Sequence, residues 1–156
     1  MIALNEITAN KNGSYLDAIL EIEDRSFPSP WNRRAFLAEL NNPISRLWGL
    51  TKDEQRVGYT CFWLFPDEIH LLNIAVHPDA RGQGLARHLM QRVVETATSE
   101  GIPSIWLEVR PSNEAAGRLY RRMGFVVVGS RKNYYPDTHE DAVIMALALA
   151  VGRHAA

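Results

Sequence analysis

The hydrophobic and polar positions along this chain switch several times between the two-residue spacing of strands and the 3.6-residue spacing of helices. The pattern predicts strands at 2–8, 44–51, 57–65, 68–76, 104–110, 125–132 and 142–149. It predicts helices at about 16–27, 32–41, 82–100 and 114–123. The order β-α-α-β-β-β-α-β-α-β-β, with about seven strands and four helices, indicates an α/β (α+β) fold.

Residues that stop or start regular structure mark the ends of these elements. Pro28 and Pro30 break the first helix, and Asn32 is a suitable N-cap for the second. Gly101 can end the third helix, and Pro103 opens the next strand. Because no repeat or linker interrupts the pattern, residues 1–150 are predicted to form a single domain, followed by a short tail at 151–156.

The composition narrows the class of protein. The chain of 156 residues is 46% hydrophobic and 22% charged with a net charge of −1, which is typical of a soluble globular protein without strong attraction to nucleic acid or membranes. Cys61 is the only cysteine, so an internal disulfide and a cysteine-based metal site are excluded. No apolar run suits a membrane span, and the N-terminus lacks the pattern of a signal peptide. These features predict a cytoplasmic protein without a bound metal.

A glycine-bearing turn joins the strand that ends at Val76 to the following helix. Pro78 stops the strand, and from Leu85 the apolar residues recur at helix spacing. Gly82 and Gly84 lack a Cβ, so a phosphate could approach the backbone N–H groups at the start of the helix. The turn is neither a Walker loop nor a dinucleotide fingerprint, because Gly-Lys-Ser/Thr and a third glycine are missing. An ordinary strand-to-helix turn also fits the pattern.

The strand 104–110 alternates between apolar and polar residues. One face carries Ile105, Leu107 and Val109, and the other carries Trp106, Glu108 and Arg110. Because helices precede and follow this strand, it should be central, largely parallel and covered on both faces. Glu108 therefore either lines a cleft or forms an ion pair with Arg110.

Two residues of the next helix allow a structural and a chemical interpretation. Asn113 is a good N-cap. Tyr120 lies on the apolar side with Ala116, next to a stripe of Ala115, Leu119 and Met123. A tyrosine there usually belongs to the core, with its hydroxyl hydrogen-bonded.

Motifs spread over residues 22–147 resemble one family. Arg81-Gly82-Gln83-Gly84-Leu85-Ala86 resembles the Arg/Gln-x-x-Gly-x-Gly/Ala signature of the GNAT acetyltransferase superfamily. The segments 107–116, 119–120, 124–125, 131–136 and 140–145 resemble its RimI-type branch. The loop 27–31 also resembles that branch, although Phe-Pro-Ser-Pro-Trp stands where the family often has Phe-Pro-Trp. The resemblance implies a GNAT fold with a mixed central sheet.

The same resemblance implies a role for each matching position. Glu108 would be the general base, and Tyr120 would be the general acid that protonates the coenzyme A thiolate. Asn113 would contact the cofactor arm. The backbone of Ile74, Ala75 and Val76 would pair with the pantetheine of acetyl-CoA, and the pyrophosphate would bind at Gly82, Gln83, Gly84, Leu85, Ala86 and Arg87.

The resemblance further implies the reaction. RimI-type enzymes acetylate the N-terminal alanine of the eighteenth small-subunit ribosomal protein in bacteria, so the expected partners are CoA and a ribosomal or other alanine-starting protein, with no direct binding of nucleic acid or membranes. At pH 7, deprotonation costs about 1.2 kcal/mol for an α-amino group and about 4.6 kcal/mol for a lysine. One carboxylate base therefore suits the α-amino group better.

Other functions stay open at this point. The chain could be a GNAT enzyme for lysine or a small amine, or an acyl-CoA-binding module without catalysis. An RNA-binding domain would also fit a ribosomal context, but no basic stripe or aromatic RNA motif is visible.

Two segments rich in aromatic, proline and turn residues are expected to flank the acetyl group and hold the peptide. The substrate-binding candidates are Glu23, Phe27, Trp31, Tyr134, Tyr135, Glu140 and Asp141. The resembled family's substrate is arginine-rich after its N-terminus, so Asp137, Glu140 and Asp141 would attract it. These three acidic residues could equally form a solvated hairpin turn.

Overall fold

The computed structural model describes residues 1–10 and 13–150. Its strands are β1 (Ile2–Ile7), β2 (Ser45–Lys52), β3 (Gln55–Leu64), β4 (Ile69–Val76), β5 (Ser104–Val109), β6 (Val126–Arg131) and β7 (Ala142–Ala148). Its helices are α1 (Tyr15–Ser26), α2 (Arg33–Leu40), α3 (Leu85–Ser99) and α4 (Glu114–Arg122), with a short 3₁₀ turn at Pro78–Ala80. The predicted fold class and element order are confirmed. The single domain over 1–150 stays a prediction, and the tail at 151–156 lies outside the described residues.

The strands form one mixed sheet in the order β1-β2-β3-β4-β5-β7-β6. β5 pairs with β4 in parallel and with β7 in antiparallel orientation. The expectation that β5 is largely parallel is therefore wrong on one side. The physical reason is that β6 and β7 form an antiparallel pair, and the second of these strands, rather than the first, lies against β5.

The chain forms two compact units, residues 1–64 with 72–92, and residues 65–71 with those from 93 onward. In the first unit, the apolar face of α1 packs against α2 and the sheet. The buried cluster comprises Ile7, Leu16, Ile19, Ile22, Phe36, Leu47, Tyr59, Cys61 and Ala75. Burial raises the pKa of the Cys61 thiol to about 12, which agrees with a core residue rather than a nucleophile. A second cluster of this unit includes Leu85 and Leu89, which attach the start of α3.

In the second unit, β5 has the predicted alternation. Ile105, Leu107 and Val109 are buried, and the residues between them are half-buried. Helix α4 differs from the prediction, because its buried residues are Gly117 and Tyr120 while Ala115 is exposed. The face that packs is therefore offset from the predicted stripe, and the bulk of Tyr120 itself fills the core.

The described residues form neither a membrane-spanning helix nor a cluster of metal-binding side chains. Among them, no helix is both long enough and apolar enough to cross a membrane. The same residues contain no group of three or more His, Cys, Asp or Glu side chains that could hold a metal ion.

Candidate active site

The turn between β4 and α3, in the first unit, has an open backbone. Gly82 and Gly84 have φ values of +79° and +76°, a region that residues with a Cβ rarely adopt. A Cβ added to either glycine would have no heavy atom within 4 Å. The helix begins at Leu85 rather than at Gly82, because a residue with positive φ cannot continue a right-handed helix.

The backbone N–H groups of this turn have no acceptor among the described residues. In the part of the chain that the structure describes, none of the N–H groups from residue 82 to residue 87 donates to a protein acceptor, and the series resumes with His88 N donating to Gly84 O at 3.0 Å. Buried or clustered N–H groups normally have partners, and a run of them at a helix N-terminus attracts anions. The turn therefore has the donor set that a pyrophosphate requires.

Side chains hold the turn in place. Arg81 Nε donates to Val76 O at 3.0 Å, and Arg81 Nη2 donates to Ser26 Oγ at 3.0 Å. Lys52 Nζ donates to Gln83 Oε1. These bonds fix the path of the turn without using its N–H groups.

The other predicted cofactor residues of the first unit lie around this turn. Ala75 and Val76 are buried at the end of β4, and Ile74 is half-buried. Leu85 is buried in the core, whereas Arg87 is exposed. Leu85 can therefore serve a cofactor only through its backbone, while Arg87 also offers a charge.

An open cavity of about 650 Å³ also lies in the first unit. Its lining includes Lys52, Arg56, Glu21, Asp53 and Asp79, so positive and negative side chains are mixed. This mixture favours no single class of ligand, and we assign none.

Glu23, predicted to bind substrate, is buried in the first unit with 1% of its surface exposed. Its carboxylate accepts hydrogen bonds from Trp31 N at 2.9 Å, from Asn73 Nδ2 at 3.2 and 3.4 Å, and from the Tyr59 hydroxyl. Burial raises the pKa of Glu23, and these hydrogen bonds oppose the rise. Glu23 therefore anchors the end of the loop 27–31 to the core. Direct contact with a peptide stays a prediction.

Truncating this carboxylate is expected to cost stability. The Glu23→Ala variant should lower the free energy of unfolding by about 2–4 kcal/mol, because the Tyr59 hydroxyl and the Trp31 N–H lose their acceptor. Chemical denaturation monitored by tryptophan fluorescence measures the change. Asp24→Ala, at an exposed neighbour, is the matched control and should change stability by about 0.5 kcal/mol at most. Equal effects of the two variants would contradict the structural role of Glu23.

Glu108 and His70 meet in the second unit. His70 Nε2 lies 2.8 Å from Glu108 Oε1, and the two side chains are 24% and 14% exposed. The alternative ion pair between Glu108 and Arg110 is wrong, because Arg110 instead binds Asp137 through both Nη atoms at 2.9 and 3.0 Å. Glu108 is thus a partly exposed carboxylate with an imidazole as its partner.

Tyr120 is buried in the same unit, 4% exposed. Burial, with a smaller effect of the Tyr135 phenol, raises the pKa of Tyr120, so it stays protonated at neutral pH. Among the described residues, the Tyr120 hydroxyl makes no hydrogen bond. Every fully buried side-chain oxygen in this part of the chain has a hydrogen-bond partner, so the Tyr120 oxygen is not fully buried. The hydroxyl therefore keeps some access from outside the core. A core tyrosine of the ordinary kind would have its hydroxyl bonded.

Tyr135 connects these groups electrostatically. Burial raises its pKa to about 12, Arg110 opposes the rise, and the charge of Glu108 adds to it. Tyr135 also raises the pKa of Tyr120, so Tyr135 interacts electrostatically with Glu108 and with Tyr120. Tyr135 is thus electrostatically linked to each of the two predicted catalytic residues, whose roles stay predictions.

Asn113 caps α4 as predicted, accepting from Ala116 N at 3.3 Å. Its contact with the cofactor is untested by this geometry and stays a prediction.

The acidic residues of the connection between β6 and β7 bind groups within that unit. Glu140 accepts from Ser112 N at 3.0 Å and Ser112 Oγ at 2.9 Å, and these bonds lower its pKa. Asp141 accepts from Asn133 N at 2.9 Å. Arg110 lies 2.9 Å from Asp137 and 3.6 Å from Glu140. The connection is held by these bonds, and its part in selecting a basic peptide stays a prediction.

The aromatic substrate candidates differ in exposure. Tyr134 is 42% exposed, and its ring centroid lies 5.0 Å from that of Tyr135, which is half-buried. Phe27 and Trp31 are half-buried, and the Trp31 ring lies 5.2 Å from Phe36. Each segment therefore offers apolar surface.

Sequence reasoning missed His70 and the pair of Tyr59 and Asn73. His70 lies at a polar position of an alternating strand. This position predicts the face of the strand on which His70 lies, but not which residue of the neighbouring strand it contacts. Tyr59 and Asn73 stand in apolar strands, where a polar atom needs a buried partner. That requirement could have linked them to Glu23, the carboxylate on the apolar face of α1.

The chain belongs to the acetyltransferase (GNAT) family, because the sequence model of that family matches residues 16–125. The predicted family is thereby confirmed.

Two relatives and one solved structure are similar to this chain over most of its length. The [ribosomal protein bS18]-alanine N-acetyltransferases of Salmonella typhimurium (strain LT2) and Escherichia coli (strain K12) are 38% and 37% identical to the chain over 138 residues, covering 87% of this chain and 93% of each relative. The crystal structure of the ribosomal-protein-S18-alanine N-acetyltransferase from Escherichia coli matches with a TM-score of 0.86 and 33% identity, over 97% of this chain and 96% of that one.

Proposed function

We propose that this chain transfers the acetyl group of acetyl-CoA to the α-amino group of the N-terminal alanine of ribosomal protein bS18. The observation that carries the proposal is the run of unused N–H groups from residue 82 to residue 87, a site for a pyrophosphate in a chain of the GNAT family. The two relatives named for the bS18 reaction support the substrate. The reaction would take place in the cytoplasm, where ribosomal proteins are made.

The chain would bind acetyl-CoA, the acetyl donor, mainly through backbone groups. Acetyl-CoA supplies the acetyl thioester and a pyrophosphate that carries negative charge. Gly82 and Gly84 leave room for the phosphates, and the dipole of α3 favours them. The backbone of residues 74–76 would pair with the pantetheine, and Asn113 would contact the same arm.

The second unit would supply the proton transfers. The carboxylate of Glu108 takes the proton from the α-amino group, directly or through one water, so that the neutral nitrogen can attack the thioester carbonyl. One C–N bond forms and one C–S bond breaks; the second proton that the nitrogen loses as the amide forms balances the proton that the sulfur takes up. Tyr120, protonated because its pKa is raised, donates its hydroxyl proton or a hydrogen bond to the leaving sulfur. No covalent enzyme intermediate is needed.

The peptide would lie against aromatic side chains. Phe27 and Trp31 in the first unit are candidates to contact the residues after the alanine, and Tyr134 and Tyr135 in the second unit are separate candidates. Glu23 would act on the peptide indirectly by fixing Trp31, to whose N–H it is hydrogen-bonded. The carboxylates of Asp141 and of Glu140, which lies 3.6 Å from Arg110, would add attraction for arginine side chains.

Incubation with acetyl-CoA and a basic peptide that starts with alanine is expected to add one acetyl group at the α-amino nitrogen, as located by tandem mass spectrometry. The matched control is the same sequence with its α-amino group blocked and one internal lysine. It should gain nothing, because a lysine costs about 3.4 kcal/mol more to deprotonate at pH 7. Preferred acetylation of the blocked peptide would indicate a lysine acetyltransferase. Binding of acetyl-CoA without acetylation of either peptide would indicate a binding module.

A further inference from the structure

An imidazole stands beside the proposed base on the same face of the sheet. In the parallel pair of β4 and β5, His70 lies opposite Trp106, and Glu108 is two residues further along β5. Since side chains two residues apart share a face, His70 and Glu108 are diagonal neighbours. Their Nε2–Oε1 distance of 2.8 Å is a normal hydrogen bond.

His70 is the hydrogen-bonding partner that the described protein provides for this carboxylate. Among the described residues, no other side chain or N–H group donates to Glu108. Arg110, the next polar residue on the same face, has both Nη atoms on Asp137. The charge of Glu108 raises the pKa of Tyr135, but Tyr135 donates no hydrogen bond to this carboxylate. A carboxylate without a second anchor can rotate unless its one partner fixes it.

We propose that His70 is a positioning residue for Glu108, an inference that rests on the proposed function. In this arrangement the imidazole donates an Nε2–H to Glu108 Oε1 and leaves Oε2 to receive the proton of the α-amino group. A fixed carboxylate meets the amine in one orientation, and misplacement by about 1 Å can cost about a hundredfold in rate. His70 does not itself touch the reacting atoms.

The test compares two classes of substitution at position 70. His70→Leu removes the donor and is expected to lower kcat by about tenfold to a hundredfold, with the KM values for acetyl-CoA and peptide changed by about twofold at most. His70→Gln keeps an N–H donor and should recover most of kcat. His70→Val, which suits a strand, repeats the removal if the leucine variant folds poorly. Melting temperatures report folding in each case.

A double-mutant cycle separates positioning from a general structural role. In a Glu108→Gln background the further His70→Leu change should alter kcat by about twofold at most, because the carboxylate to be positioned is gone. If the fold-reductions in kcat of the two single variants multiply in the double variant, the two residues act independently and the proposal is overturned. An unchanged kcat for His70→Leu, or a His70→Gln variant as slow as His70→Leu, would also overturn it. Failure of the proposed function is distinguishable, because the unaltered chain would then not acetylate the alanine-starting peptide.

Discussion

Replacing Glu108 by glutamine is expected to lower kcat for an alanine-starting peptide by about a hundredfold to ten-thousandfold at pH 7. Glutamine has nearly the shape of glutamate, and its carbonyl oxygen can still accept from His70, but it cannot take up a proton. Steady-state kinetics measures kcat. Calorimetry should show that the Kd for CoA changes by about twofold at most, because the variant removes an interaction made in the transition state.

The loss of activity in the Glu108→Gln variant should depend on pH. The α-amino group has a pKa of about 7.7–8.0, so the fraction that is already neutral rises as the pH rises through that range. The deficit of the Glu108→Gln variant should therefore shrink from pH 7 to pH 9. Glu100→Gln, at an exposed glutamate near the end of α3, is the control and should behave like the unaltered chain. A Glu108→Gln variant with full activity at pH 7 would refute the assignment of the base.

The Gly84→Val variant is expected to raise the Kd for CoA by about a hundredfold or more. Gly84 has a φ of +76°, and an added side chain meets no protein atom within 4 Å, so it would project into space next to the unused N–H groups. A phosphate could then no longer approach the backbone. Isothermal titration calorimetry with CoA measures the loss of affinity directly.

Gly101→Val is the matched control for backbone strain. Gly101 has a φ of +71°, and a Cβ there also meets nothing within 4 Å, but it follows α3 instead of preceding it. Both variants should lower the free energy of unfolding by about 1–3 kcal/mol, because a residue with a Cβ is strained at positive φ. Only the change at position 84 should weaken CoA binding. Equal Kd values for the two variants would show that the turn does not hold the pyrophosphate.

Local chemistry made much of the architecture predictable. Asn32 and Asn113 were recognisable as N-caps, and each accepts the backbone hydrogen bond that defines a cap. Gly82 and Gly84 were recognisable as a backbone that a phosphate can approach, and both have the positive φ that glycine tolerates. The alternation of residues 104–109 placed Glu108 on the less buried face of β5. In each case neighbours in sequence decide the conformation.

The sequence by itself determined the elements, their order, the face of each strand and the chemistry of the turn. Only the tertiary structure decided that His70, 38 residues away, partners Glu108, that Arg110 binds Asp137 instead, and that β7 lies against β5. It also placed Glu23 in the core, bonded to Tyr59. The physical reason is that periodicity fixes which way a side chain points along its own strand or helix, whereas its partner depends on strand order and register. These are set by packing between segments far apart in the chain.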